Sequence, residues 1–148
     1  MLINPPDSLP NLFNKIIVMQ KELIEKNPLL KLSFEFSLLI LQYCDLLDQQ
    51  RKYAISKQLI RSGTSIGANS MEAQNAESKA DFIHKIKIAA KEADETQYWL
   101  ALCEFADGYP ETNMIGNKLT ELQKIMSAIL GTAKRKTPLS YFLSFFIF

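Results

Sequence analysis

An all-α protein, an antiparallel up-and-down four-helix bundle with an extra N-terminal helix, is the fold this sequence predicts. Three observations carry that prediction. Apolar residues recur at spacings of three and four through five segments. No stretch of useful length alternates with period two, so no strand is expected. The breaks between segments are short, and short connections favour antiparallel neighbours. The chain has 148 residues, 47% of them apolar and 22% charged, which suits one soluble globular domain. At this size folding buries about 70% of the extended chain's surface, enough for a real core.

The first segment follows Ser8, an N-cap candidate with Pro10 in the first turn. Phe13, Ile16, Ile17, Gln20, Leu23 and Ile24 mark one face of it, to about Lys26. Asn27–Pro28 interrupts. The second segment runs from about Leu29 or Ser33 to Asp48, with Phe36, Leu39, Ile40, Tyr43, Leu46 and Leu47 on one face. The third begins near Arg51 and carries Ile55, Leu59, Ser62, Ile66, Asn69, Ala73 and Ala76 at helical spacing. The fourth opens on Ser78 and Asp81, an S-x-x-D pair whose hydroxyl accepts an orphan N–H while the carboxylate reaches back. Its stripe is Phe82, Ile86, Ala89, Ala93, Gln97, Leu100 and Cys103. Asp107–Gly108–Tyr109–Pro110 punctuates the chain. The fifth runs from about Glu111 to Ala133, with Ile115, Leu119, Leu122, Ile125, Met126 and Ile129 inward. The expected organisation is an extra helix over residues 1–26, a bundle domain over 27–136 and an apolar tail over 137–148.

The run SGTSIGANS, from Ser62, asks whether this is a phosphate-binding loop. A Walker loop needs G-x-x-x-x-G-K-[ST] after a strand, whereas Gly63 and Gly67 are four apart and Ala68 stands where the lysine belongs. A dinucleotide fingerprint needs a third glycine. In a helix the two glycines fall one turn apart and leave a notch free of side chains. Each costs about 1 kcal/mol of helix propensity relative to alanine, so close approach of another backbone is expected, from this bundle or from a second subunit. Thr64, Ser65, Asn69 and Glu72 beside the notch point to a polar interface or a wet channel.

Three long runs carry a resemblance: RSGTSIGAN at Arg61–Asn69, EAQ-x-AESK-x-DFIHK at Glu72–Lys85, and KEADETQYWL at Lys91–Leu100. With the flanking helices, from about Asn27 to Lys134, the chain resembles the four-helix-bundle proteins of the 23S rRNA intervening-sequence family. That resemblance implies an antiparallel four-helix bundle that assembles as a ring, typically a homopentamer. Some members are encoded within intervening sequences of 23S rRNA genes. A related branch is the accessory protein of diversity-generating retroelements, where a basic ring surface meets nucleic acid and reverse transcriptase. This chain departs from the pattern in the helix preceding Asn27, in its apolar tail and in its near-neutral charge.

The net charge of +1 conceals blocks. Residues 51–91 hold eight basic and three acidic side chains; residues 92–122 hold one basic and seven acidic. Such blocks pair within a bundle, between subunits or with a polyanion. The basic candidates for nucleic-acid contact are Lys57 and Arg61, one turn apart, and His84, Lys87 and Lys91 at spacings of three and four, with Lys85 adjacent. Repeated around a ring they form a concentrated positive surface whose binding weakens steeply with salt. No aromatic interleaving suggests base stacking, so contact by backbone charge and shape is expected. The competing reading has these lysines solvating the bundle or pairing with the acidic block. Arg61, Glu72, Lys91 and Glu95 suggest a polar network between helices or subunits. Gly63, Gly67, Asn69, Glu72, Glu95 and Trp99 form the candidate packing or subunit interface, with Tyr98 and Leu102 beside Trp99 as further anchors.

Catalysis is not expected. The one histidine, His84, has Lys87 and Lys91 at helical spacing rather than a carboxylate and a nucleophile. One histidine and two remote cysteines, Cys44 and Cys103, make no recognisable metal-ligand set, and both thiols fit buried helical positions. Glu92 and Glu95 are a carboxylate pair of the kind that can hold a metal, read instead as a solvated face or as partners for lysines. No cofactor and no small-molecule substrate are expected. The N-terminus shows no basic start followed by an apolar run, so no signal peptide is expected, and a cytoplasmic setting follows. The tail LSYFLSFFIF is too short to span a bilayer. After Lys134–Arg135–Lys136 it suits a membrane surface, a groove of the protein or a loose appendage; membrane association is the less expected of these. The expected function is a non-enzymatic homo-oligomeric scaffold that meets RNA or a ribonucleoprotein, the alternative being a protein-interaction adaptor without nucleic acid.

Overall fold

The computed structural model describes residues 8–134, and among these the fold is an all-α helical bundle. The helices are α1 (Ser8–Lys26), α2 (Pro28–Gln49), α3 (Tyr53–Ala73), α4 (Lys79–Phe105) and α5 (Asn113–Ala133). Helices α2 to α5 pack in chain order around a square: α2 meets α3 and α5, and α4 meets α3 and α5. Helix α1 packs on α2. The tail over 137–148 lies outside the described residues, as do the side chains of Phe13 and Ile16.

The interruption at Asn27–Pro28 is a junction of one residue. Asn27 is the N-cap of α2, its Oδ1 accepting from the N–H of Leu29 at 3.0 Å and of Leu30 at 3.2 Å. Pro28 occupies the first helical position, where a missing N–H costs nothing. Helix α2 therefore starts at Pro28, ahead of the expected Leu29 or Ser33. Asn27 is buried, and its Nδ2 donates to Gln74 Oε1 at 3.1 Å, tying the start of α2 to the end of α3.

Helix α2 closes on a Schellman motif. Arg51 N–H donates to Asp48 O at 2.9 Å and Lys52 N–H to Leu47 O at 2.9 Å. Arg51 holds φ 60°, the left-handed position that glycine usually fills. Helix α3 thus begins at Tyr53 rather than at Arg51. It ends at Ala73, short of the expected Ala76, and Ser78 caps α4 by accepting from Asp81 N–H at 3.1 Å. The Asp81 carboxylate reaches back to Glu77 N–H at 3.2 Å. In the α4–α5 loop Gly108 takes φ 75°. Tyr43 O–H donates to Pro110 O at 2.9 Å, and Lys52 Nζ stands 3.4 Å from the centre of the Tyr109 ring, so the two connections at this end interlock.

The core is built by Phe36, Ile40 and Leu47 of α2, Leu59 and Ile66 of α3, Phe82 and Ile86 of α4, and Leu122, Met126 and Ile129 of α5. On α1 the expected inward residues Ile17 and Gln20 are exposed, and the stripes of α2 to α5 hold with two exceptions. Leu46 is exposed, and Gln97 is exposed because Thr96 takes the inward position. Thr96 Oγ1 donates to Ser62 Oγ at 2.9 Å, a buried hydroxyl pair between α4 and α3. Buried positions are small on both helices, Ser62, Ser70 and Ala73 on α3 and Ala89 and Ala93 on α4, and small residues at a contact let helices approach closely.

Candidate nucleic-acid interface

The two glycines of α3 serve the bundle itself. A Cβ on Gly63 would lie 2.6 Å from Ile40 Cγ1 and 2.8 Å from Ile40 Cδ1; a Cβ on Gly67 would lie 3.2 Å from Ser37 Oγ and 3.5 Å from Ser33 O. The neighbour that enters the notch is α2. Asn69 is half-buried and donates to Ser65 O of its own helix at 2.9 Å. No phosphate cradle is built here: the run is the middle of a helix whose N–H groups are already used.

Along the α3–α4 seam lie the ion pairs. Arg61 Nη2 bonds Glu95 Oε1 and its Nη1 stands 3.7 Å from Glu92 Oε2. Glu95 also accepts from Trp99 Nε1 at 3.1 Å. The guanidinium first, and then the indole N–H, hold the Glu95 carboxyl below its ordinary range. Glu92 Oε2 is buried and has no hydrogen bond, so it depends on Arg61 for compensation. Further down, Lys85 Nζ bonds Glu72 Oε2 at 2.5 Å, and this hydrogen bond raises the lysine above its ordinary value. The expected network is present with a changed membership: Glu95 turns to Arg61 and Trp99, and Lys91 takes no part in the ion pairs among the described residues. Glu92 is the member whose partner the sequence did not give: it is Arg61, not a lysine. Its signal was the spacing from Glu95, which puts both carboxylates on one side of α4.

The basic candidates therefore divide. Arg61 and Lys85 are engaged by carboxylates of the same chain. Lys57, His84, Lys87 and Lys91 are exposed and stand outside every ion pair among the described residues. His84, Lys87 and Lys91 share one outer stripe of α4. Lys57 does not join them. With Ser62 level with Thr96 and Glu72 level with Lys85, Lys57 sits about 20 Å up the seam from Lys87 at 1.5 Å per residue. The α4 stripe continues through Asp94 to Tyr98, Leu102 and Phe105, all three exposed, Phe105 at 86%. Its lower half is basic and its upper half aromatic and apolar. Trp99, one residue off that stripe, is half-buried against the core and meets Tyr98 edge to face, with ring centres 5.2 Å apart.

Cys44 and Cys103 are buried free thiols. Burial pushes the Cys44 thiol up to about 11 and raises Cys103 as well, which disfavours the reactive thiolate. Among the described residues no three of His, Cys, Asp and Glu stand close enough to hold a metal, and no helix is long and apolar enough to cross a membrane.

The comparisons with known proteins agree with this architecture. The chain is similar to a protein of unknown function from the S23 ribosomal protein family of Bacteroides thetaiotaomicron VPI-5482, known from a crystal structure at 1.70 Å. The two share 42% identity over 69% of this chain and 97% of that one, with a TM-score of 0.66. No curated protein matches the chain. The family model for the 23S rRNA-intervening sequence protein matches residues 25–128, from the last turn of α1 to the last turns of α5. The chain belongs to the 23S rRNA-intervening sequence protein family.

Proposed function

We propose that this protein is a non-catalytic scaffold that assembles from copies of itself into a closed ring, a homopentamer, and offers the basic half of the α4 stripe to the phosphate backbone of RNA. The observation that carries the reading is the division among the cations. Arg61 and Lys85 are used inside the bundle, whereas His84, Lys87 and Lys91 stand exposed on one stripe with no carboxylate pairing them among the described residues. One copy offers too few contacts for firm binding. A ring multiplies them, and each phosphate neutralised releases counterions, so affinity falls steeply with salt. Contacts of this kind position the protein without reading bases. The proposed setting is the cytoplasm, with RNA or a ribonucleoprotein as partner.

The test is retention of bulk RNA across a salt series. Lys87→Glu with Lys91→Glu removes two positive charges and adds two negative ones per copy. Binding is expected to fall at least about tenfold at low salt, with a shallower salt slope. Retention equal to the parent chain would refute the assignment. A second reading has one observation in its favour. Leu46, Tyr53, Leu102, Phe105 and Met114 are exposed where α2 and α4 end and α3 and α5 begin. A large apolar patch marks a protein contact, and an adaptor that binds protein alone would show no salt-dependent RNA retention at all.

A further inference from the structure

Helix α1 extends beyond the bundle. Of its described side chains only Leu23 and Ile24 are half-buried; every other one from Asn14 to Lys26 is exposed, with Ile17, Val18 and Met19 between 48% and 61%. The apolar stripe that includes Ile17, Leu23 and Ile24 therefore finds cover for its last turn only. A helix gains its stability mostly from packing an amphipathic face, so this face calls for a partner.

The partner surface is on α2. Phe34, Leu38 and Leu41 form an outer stripe exposed between 44% and 50%. It runs on from a cleft of about 220 Å³ in which Phe34, Gly67 and Met71 stand beside Ile24 of α1. The chain's own α1 is held away from that stripe. The junction is one residue long, and Asn27 is buried and fixed by bonds to Leu29, Leu30 and Gln74. Charge selects the occupant. Residues 8–21 contain Lys15 and Lys21 and no acidic residue. Beyond Leu41 the exposed face of α2 carries Asp45 and Asp48, which stand outside every ion pair among the described residues. Lys21 lies one turn beyond Ile17 at the edge of the arm's apolar stripe, and Asp45 lies one turn beyond Leu41. A helix seated parallel to α2 with Ile17 over Leu38 and Leu41 thus brings Lys21 to Asp45.

We infer that α1 is an exchange arm: it lies on the outer face of α2 of a second copy, its apolar stripe on Phe34, Leu38 and Leu41 and Lys21 toward Asp45 and Asp48. The inference rests on the self-assembly of the proposed function and supplies a contact for it. Most of the arm precedes the residues that the family model matches, so it is a contact particular to chains that carry this helix.

The test co-expresses two full-length chains of distinguishable mass, one carrying Ile17→Cys and the other Leu38→Cys. After mild oxidation, intact-mass measurement reads the disulfide-linked heterodimer, which requires the two Cα atoms within about 7 Å. The control pairs Ile17→Cys with Thr120→Cys, an exposed position on α5. The arm predicts an Ile17–Leu38 cross-link at least about tenfold above the control, because docking raises the local concentration of the two thiols. A cross-link no higher than the control, in chains that light scattering shows to be oligomeric, overturns the arm and leaves self-assembly standing. Monomers at every concentration overturn both.

Discussion

Gly63 and Gly67 are one turn apart on α3, yet their surroundings give opposite expectations for the same substitution. At Gly63 an added methyl meets Cγ1, Cγ2 and Cδ1 of Ile40, a β-branched side chain with no exposed surface. Overpacking of this kind costs about 1–3 kcal/mol, and the gain of about 1 kcal/mol in helix propensity offsets only part of it. At Gly67 the nearest atom is the Ser37 hydroxyl at 3.2 Å, which can rotate away. Thermal denaturation is expected to place Gly63→Ala below the parent chain and Gly67→Ala level with it or above. Gly67→Leu, whose branches extend toward the Ser33 carbonyl, is expected to loosen the α2–α3 packing. Arg51 offers the complementary case. Its left-handed φ is a cost of roughly 1–2 kcal/mol for a residue with a Cβ, partly returned by the lower entropy of its unfolded chain. Arg51→Gly is expected to raise the denaturation midpoint, and a fall would show that the Arg51 side chain does more than occupy the turn.

At the scale of the helices, the α3–α4 seam makes a pH prediction. Glu95 is held below the ordinary carboxyl value of 4.5 by Arg61 and by Trp99. A carboxyl lowered on folding favours the folded state above its unfolded value, and that contribution is lost as the pH falls through the lowered one. Trp99 is the only tryptophan, so its fluorescence reports the step. The midpoint is expected below 4.5, and Glu95→Gln should remove it; a midpoint at or above 4.5 would contradict the contact. How legible this was in the sequence differs from helix to helix. The inward stripe of α4 was readable at Phe82, Ile86, Ala89 and Ala93 because apolar spacing reports burial directly. It failed at Gln97 because the position is set by a partner: Thr96 turns inward to meet Ser62, and neither helix alone contains that fact. The glycine notch was readable as a close approach, but not as an approach by Ile40. Asn27 read as an interruption because a cap and a break use the same residues, and the bonds from the Leu29 and Leu30 N–H groups to its side chain tell them apart. The basic set was readable as candidates. Which cations stay available depended on the carboxylates across the seam.

For the whole molecule, the account joins three surfaces that the bundle leaves uncovered: the arm of α1 with the outer face of α2, the basic half of the α4 stripe, and the apolar end around Phe105 and Met114. Assembly makes the first a contact between copies and the second a repeated array. Binding to a polyanion through such an array is a property of the assembly, so a substitution that breaks the ring should lower RNA retention even where it touches no lysine. The Ile17→Asp variant is the case in point: it places a charge in the arm's apolar stripe, and both the mass of the particle and its RNA retention are expected to drop together. The most direct test of the central claim is the mass of the full-length protein by light scattering, at low and at moderate salt, with and without bulk RNA. The account predicts a ring-sized particle near five subunits that gains mass with RNA at low salt and loses that gain at moderate salt. A monomer under all four conditions would contradict it.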